Sequence, residues 1–94
     1  MTKSREIRQK ILKIMDLALK ISPPEKTREE HEANAFVEYS AHVNMITVRC
    51  FKYGDYHGRA DYGASIYMDE KCANEKLDET IKYLRELREE MNNE

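Results

Sequence analysis

Met45-Ile46-Thr47-Val48-Arg49-Cys50-Phe51-Lys52-Tyr53 is the stretch that decides the fold. On an extended chain Ile46, Val48 and Cys50 share one face, while Thr47, Arg49, Phe51 and Tyr53 share the other. Successive side chains of a strand point to opposite sides, so this alternation predicts a half-buried strand over 45–53. Its neighbours read the same way. Residues 35–40 place Val37 and Tyr39 on one face and Phe36, Glu38 and Ser40 on the other. Residues 63–68 place Ala64, Ile66 and Met68 opposite Ser65 and Tyr67. Ala41-His42-Val43-Asn44 is the turn between the first two, because Asn tolerates the left-handed conformation. All three glycines fall between Gly54 and Gly63, which marks the loop joining the second strand to the third.

Outward from these strands lie two helices. Ile7, Ile11, Ile14, Ala18 and Ile21 recur at alternating steps of four and three, predicting a helix over 4–21. Leu12, Met15 and Leu19 widen its apolar arc on one side, and Leu17 lies past the other edge. An arc that wide exceeds what one sheet contact uses, so this helix is expected to be covered on two sides. It stops at Ser22-Pro23-Pro24, since proline pushes the residue before it out of the α region. Residues 22–34 read as an exposed connection. The last helix is predicted over 69–91, started by Asp69 as N-cap. Its stripe of Ala73, Leu77, Ile81, Leu84 and Met91, with Leu87 at its edge, is narrow and predicts packing on one side only. The expected architecture is a single α+β domain over 1–94, ordered α-β-β-β-α. It is a three-stranded antiparallel meander with both helices on one face.

The chain has 94 residues, of which 36% are charged and 40% apolar, and a net charge of −2. Its length leaves no room for a cavity between domains. No apolar run approaches the roughly 18 residues of a membrane span, and the N-terminus has no uninterrupted apolar segment of the signal-peptide kind. Cys50 and Cys72 make no disulfide framework, so both are expected as reduced thiols in a cytoplasmic protein. The near-neutral total hides a division. Residues 1–21 carry six Lys/Arg against Glu6 and Asp16, a balance of +4, and residues 69–94 sum to −4. The two helices are thus electrostatically suited to each other.

The chemistry-bearing residues give little that is specific. His31, His42, His57, Cys50 and Cys72 show no zinc-ligand spacing, so no metal and no cofactor is expected. Cys50 points at the core, where a thiol behaves as a small hydrophobe. Cys72 falls at the start of the last helix beside Asp69 and Glu70, which oppose activation of a thiol. The loop between the glycines holds Asp55, Tyr56, His57, Arg59, Asp61 and Tyr62. Tyr56, His57, Arg59 and Tyr62 are candidates for contact, and the loop with its two carboxylates is the place a small enzyme would use. No catalytic residue is assigned.

The better signal is the face turned away from the helices. There Arg49, Phe51, Tyr53 and Tyr67 form a partner-binding candidate, since Tyr and Arg anchor protein contacts. The same surface could stack unpaired bases. Charge argues against nucleic acid, because residues 35–68 hold three cations and three carboxylates and electrostatic binding needs a basic excess. A non-enzymatic module acting on a second copy of itself or on another protein is the first expectation. Single-stranded nucleic-acid binding is the alternative and the loop enzyme the second alternative; no membrane role is expected.

From Phe36 to Arg49, with its Tyr39-Ser40-Ala41-His42-Val43-Asn44 turn between two strands, the chain resembles small uncharacterised prophage and mobile-element proteins of Gram-positive bacteria. The likeness spans about residues 35–88 and includes the charged last helix. It implies a bacterial or phage cytoplasm and a small binding or inhibitory protein, and it carries no activity or functional residue. The long Gly54–Gly63 loop departs from that group.

Overall fold

A computed structural model describes residues 2–26, 33–51 and 60–92. Helix α1 (Thr2–Ile21) is followed by strand β1 (Asn34–Ser40), a single 3-10 turn (Ala41–Val43) and strand β2 (Met45–Phe51). Strand β3 (Tyr62–Tyr67) and helix α2 (Ala73–Asn92) complete it. The strands pair antiparallel in the order β1-β2-β3. The meander with its two helices is the α+β arrangement that the alternation of 45–53 predicts. The last two residues of that predicted strand, Lys52 and Tyr53, lie outside the described residues.

Register fixes the two faces. Val37 pairs with Val48 and Val48 with Ala64, while Tyr39 pairs with Ile46 and Ile46 with Ile66. This face is the one the helices cover, and Ile46, Val48, Cys50 and Ile66 on it are buried. From α1 come Ile14, Leu17 and Ile21; from α2 come Leu77, Ile81, Leu84 and Leu87. Each such side chain contributes about 1.5–3 kcal/mol by leaving water. The tight turn after β1 works because Asn44 takes the left-handed conformation (φ 53°) and its N–H donates to the carbonyl of Ala41 at 3.1 Å.

Both helices lie over the sheet and beside each other, α1 above β1 and α2 above β3. Lys10 of α1 meets Asn74 and Asp78 near the start of α2, and Lys13 and Leu17 meet Arg85 and Arg88 further on. The two helices therefore run parallel. The C-terminal end of α1 is stapled to the sheet by one hydroxyl. Ser22 Oγ donates to the carbonyl of Ala33 (2.7 Å) and accepts the N–H of Ala35 (3.0 Å).

Two expectations about the last helix are corrected. It begins at Ala73, not Asp69, with the carbonyl of Cys72 accepting the N–H of Lys76 at 2.9 Å. Residues 68–72 are turns because Glu70 is drawn back, accepting the N–H of Tyr67 and the ammonium of Lys76, both at 3.2 Å. It also packs on two sides, against α1 and β3. The narrow apolar stripe is widened by Thr80, which is fully buried and turns its hydroxyl inward. Helix α1 meets both the sheet and α2, as its wide arc predicts, yet a third flank stays bare.

Candidate functional site

The expected contact face of the sheet is only partly available. Arg49 sits opposite Phe36 in the pairing of β1 with β2, and Arg49 is exposed. Tyr67 and Phe36 are 47% and 43% exposed. Phe51, expected in the open, is 7% exposed and stands edge-on to Phe36, with ring centroids 5.5 Å apart. It lies on the outer face yet is withdrawn from solvent, because a diagonal neighbour on an antiparallel pair is within reach of an aromatic ring. Tyr53 lies outside the described residues, as do Tyr56, His57 and Arg59. Phe36, which the reading of 45–53 leaves out of the site, is the aromatic that this face presents beside Arg49.

Tyr62 is not a loop residue. It opens β3 on the helix-covered face, stacks on Tyr83 (4.2 Å between centroids, 14° between planes) and shares a 2.9 Å hydrogen bond with the Thr80 hydroxyl. The Thr80 hydroxyl donates to the carbonyl of Lys76 at 3.0 Å, so it accepts from Tyr62. Cys50 lies in the same region. Burial, with Asp61 nearby, pushes its thiol up to about 11. Burial also raises the Tyr83 phenol to about 12, with smaller contributions from Cys50 and Asp61. A thiol held neutral is a packing group at pH 7 and not a nucleophile. Cys72 is exposed, one residue before α2, not inside its first turn. Among the described residues no three His, Cys, Asp or Glu side chains come together as a metal site. Nor is any helix there long and apolar enough to cross a membrane.

Two other surfaces stand out. Near the C-terminal ends of the helices an open cavity of about 220 Å³ is lined by Lys13, Leu17, Arg85, Arg88 and Glu89. A second, of about 450 Å³, has Asp16, Leu19, Lys20 and Arg88 in its wall. Asp16 ties this groove together. Lys20 at 3.0 Å, with Lys13 and Arg88 beyond, holds its carboxyl below the usual range. Across the two cavities Lys13, Lys20, Arg85 and Arg88 thus stand against Asp16, Glu25 and Glu89. No sequence pattern foretold the groove, since it exists only where two helices meet.

The other surface is the bare flank of α1. Leu12 (69% exposed), Met15 (40%) and Leu19 (47%) follow one another at steps of three and four on one side of the helix. Leu12 and Met15 lie across the helix from Lys10, Lys13 and Leu17, which meet α2, while Leu19 also walls the second cavity beside Arg88. Beneath α1 lies β1, an edge strand of the sheet. The over-wide apolar arc was the sequence signal for this surface. Compared with known protein families, curated proteins and solved structures, the chain matches none.

Proposed function

We propose that this chain is a small non-enzymatic protein-contact module whose working surface is the outward flank of α1. The observation that carries this reading is the exposed row of Leu12, Met15 and Leu19. Scattered exposed hydrophobics are ordinary, but a contiguous row along one side of a helix is a patch of the kind that binds protein. The sheet's outer face, with Phe36, Arg49 and Tyr67, offers a second contact area. The alternative of single-stranded nucleic-acid binding draws less support, because Phe51 is turned into Phe36 and not held out as a stacking platform. A bacterial or phage cytoplasm, and with it a binding or inhibitory role, rests on the resemblance of residues 35–88.

The test is a chain with Leu12→Ser, Met15→Ser and Leu19→Ser together. Because these side chains are exposed, urea unfolding is expected to move by less than about 1 kcal/mol. Association, with itself or with a protein retained from a bacterial lysate, is expected to vanish. A parent chain that neither self-associates nor retains anything the triple variant fails to retain removes this reading.

A further inference from the structure

We infer that both outer edges of the sheet are closed to strand addition by a second copy of the chain, β1 by the Ser22 hydroxyl and β3 by Glu70. This goes beyond the contact reading above, which makes no use of the sheet edges.

β2 lies between β1 and β3, so these two strands are the edges. An open edge offers a row of main-chain N–H and carbonyl groups to any other chain. In β1 the Ala35 N–H turns away from β2, and the Ser22 hydroxyl accepts it at 3.0 Å. The same hydroxyl donates to the carbonyl of Ala33 at 2.7 Å. One residue of a parallel neighbouring strand makes the same two bonds, with its own carbonyl and N–H. Ser22 thus stands in for a strand residue, and its oxygen sits where an added strand would put one.

β3 repeats the arrangement with different groups. The Met68 N–H donates inward to the carbonyl of Asn44 at 2.8 Å, so the main-chain groups of Tyr67 face outward. Glu70 takes both of them. Its N–H donates to the Tyr67 carbonyl and its carboxylate accepts the Tyr67 N–H, each at 3.2 Å. A residue directly opposite on an antiparallel strand makes that same exchange. The Lys76 ammonium holds the carboxylate in place at 3.2 Å. This corner therefore also carries a charge pair, and charges on an edge discourage a strand from docking there.

The two guarded corners are diagonal. Ala35 pairs with Cys50 near the end of β2, and Tyr67 with Met45 at its start. By alternation each edge keeps two outward residues open, Val37 and Tyr39 on β1, Gly63 and Ser65 on β3. An ordinary strand of about five or six residues offers about three. When either edge pairs antiparallel with its own copy, the guards of the two copies bracket the new ladder and confine it to those short runs.

Hydrogen exchange at the Val37 and Ser65 amides gives the test. Every chain measured also carries the Leu12→Ser, Met15→Ser and Leu19→Ser changes, so contact through the α1 flank plays no part and the two readings stand or fall separately. With both guards in place, the rates are expected to be the same at about 10 μM and about 300 μM. With Ser22→Ala and Glu70→Ala, both amides are expected to slow about ten-fold at the higher concentration, as a new ladder forms over them. Lost stability alone speeds exchange at either concentration, so it does not imitate this result. Ser22→Thr and Glu70→Gln keep an acceptor at each corner and are expected to behave as the guarded chain does. Should the double alanine chain not fold, Ser22→Ala read at Val37 and Glu70→Ala read at Ser65 decide in the same way. Slowing in the guarded chain, or none in the opened ones, overturns the inference.

Discussion

Thr80 is the polar residue whose burial shapes the interior most directly. Its hydroxyl donates to the Lys76 carbonyl and accepts from the Tyr62 hydroxyl, so a β-branched side chain fills a core position with its polar atom satisfied. Thr80→Val keeps the volume but strips the acceptor from Tyr62, at an expected cost of about 1 kcal/mol. Adding Tyr62→Phe removes the orphaned hydroxyl, so the double variant is expected to sit close to the single ones. A urea double-mutant cycle checks this, and strict additivity contradicts the bond. Cys50 and Tyr83 make a second prediction at this scale. Below pH 9 the folded and unfolded chains both keep the thiol proton. Between the ordinary value of 9.0 and about 11 the unfolded chain releases it while the folded chain retains it. The unfolded state then binds fewer protons, so stability falls as pH rises through that window. Tyr83 extends the fall from 10.0 to about 12. Urea midpoints at about pH 8 and about pH 10 are expected to differ less in Cys50→Ala than in the parent. The inward position of Cys50 follows from alternation, but the grouping of Tyr62, Thr80 and Tyr83 could not be read from the sequence. Tyr62 stands beside Gly63 and Asp61 and looks like a loop residue, and Thr80 looks like a solvated position between Glu79 and Ile81.

At the scale of elements, what was legible follows from period. The strict alternation of 45–51 and the branched residues within it leave one orientation, and the structure has Ile46, Val48 and Cys50 inward. The turn before it was also legible, because few residues besides glycine accept a positive φ, and Asn44 is such a residue. Asn44→Ala is expected to cost about 1–2 kcal/mol. Asn44→Gly keeps the conformation and gives up only the exposed 2.9 Å bond from the Tyr39 hydroxyl, so it is expected to lose less. Thermal melts of the two variants decide, and an alanine variant as stable as the glycine one refutes the argument. The start of α2 was not legible for a specific reason. Asp69 and Glu70 both look like helix openers, but Glu70 is used backwards, on the N–H of Tyr67. The outer face shows the same limit. Parity places Phe51 there correctly, and only the register of β1 against β2 reveals that Phe36 covers it.

The whole molecule places two helices side by side with their dipoles in the same direction, an arrangement that repels. Charge offsets it. α1 with its +4 balance lies against the acidic start of α2, where Lys10 meets Asp78 at 3.0 Å and its own neighbour Glu6 at 3.4 Å. Hydrogen bonding to Asp78, foremost, holds the Lys10 ammonium above its ordinary value. At the far end the signs reverse, with Asp16 of α1 facing Arg88 of α2. A helix pair carrying opposite crossings at its two ends favours one direction and one register. The +4 of α1 against the −2 of α2, whose residues 73–92 hold six carboxylates and four cations, gives the general attraction, and these two crossings give the alignment. Exposed pairs of this kind contribute little to stability, about 0–1 kcal/mol each, so their effect is to be sought in specificity and salt dependence. Asp78→Lys sets a second cation beside Lys10 and is expected to lower the melting temperature, more at low salt than at high. Adding Lys10→Glu restores an attractive pair of reversed polarity between the same two positions. The double variant is then expected to recover much of that loss, with the recovery shrinking as salt is raised. Recovery that is absent, or as large at high salt as at low, places the coupling of α1 to α2 in apolar packing alone.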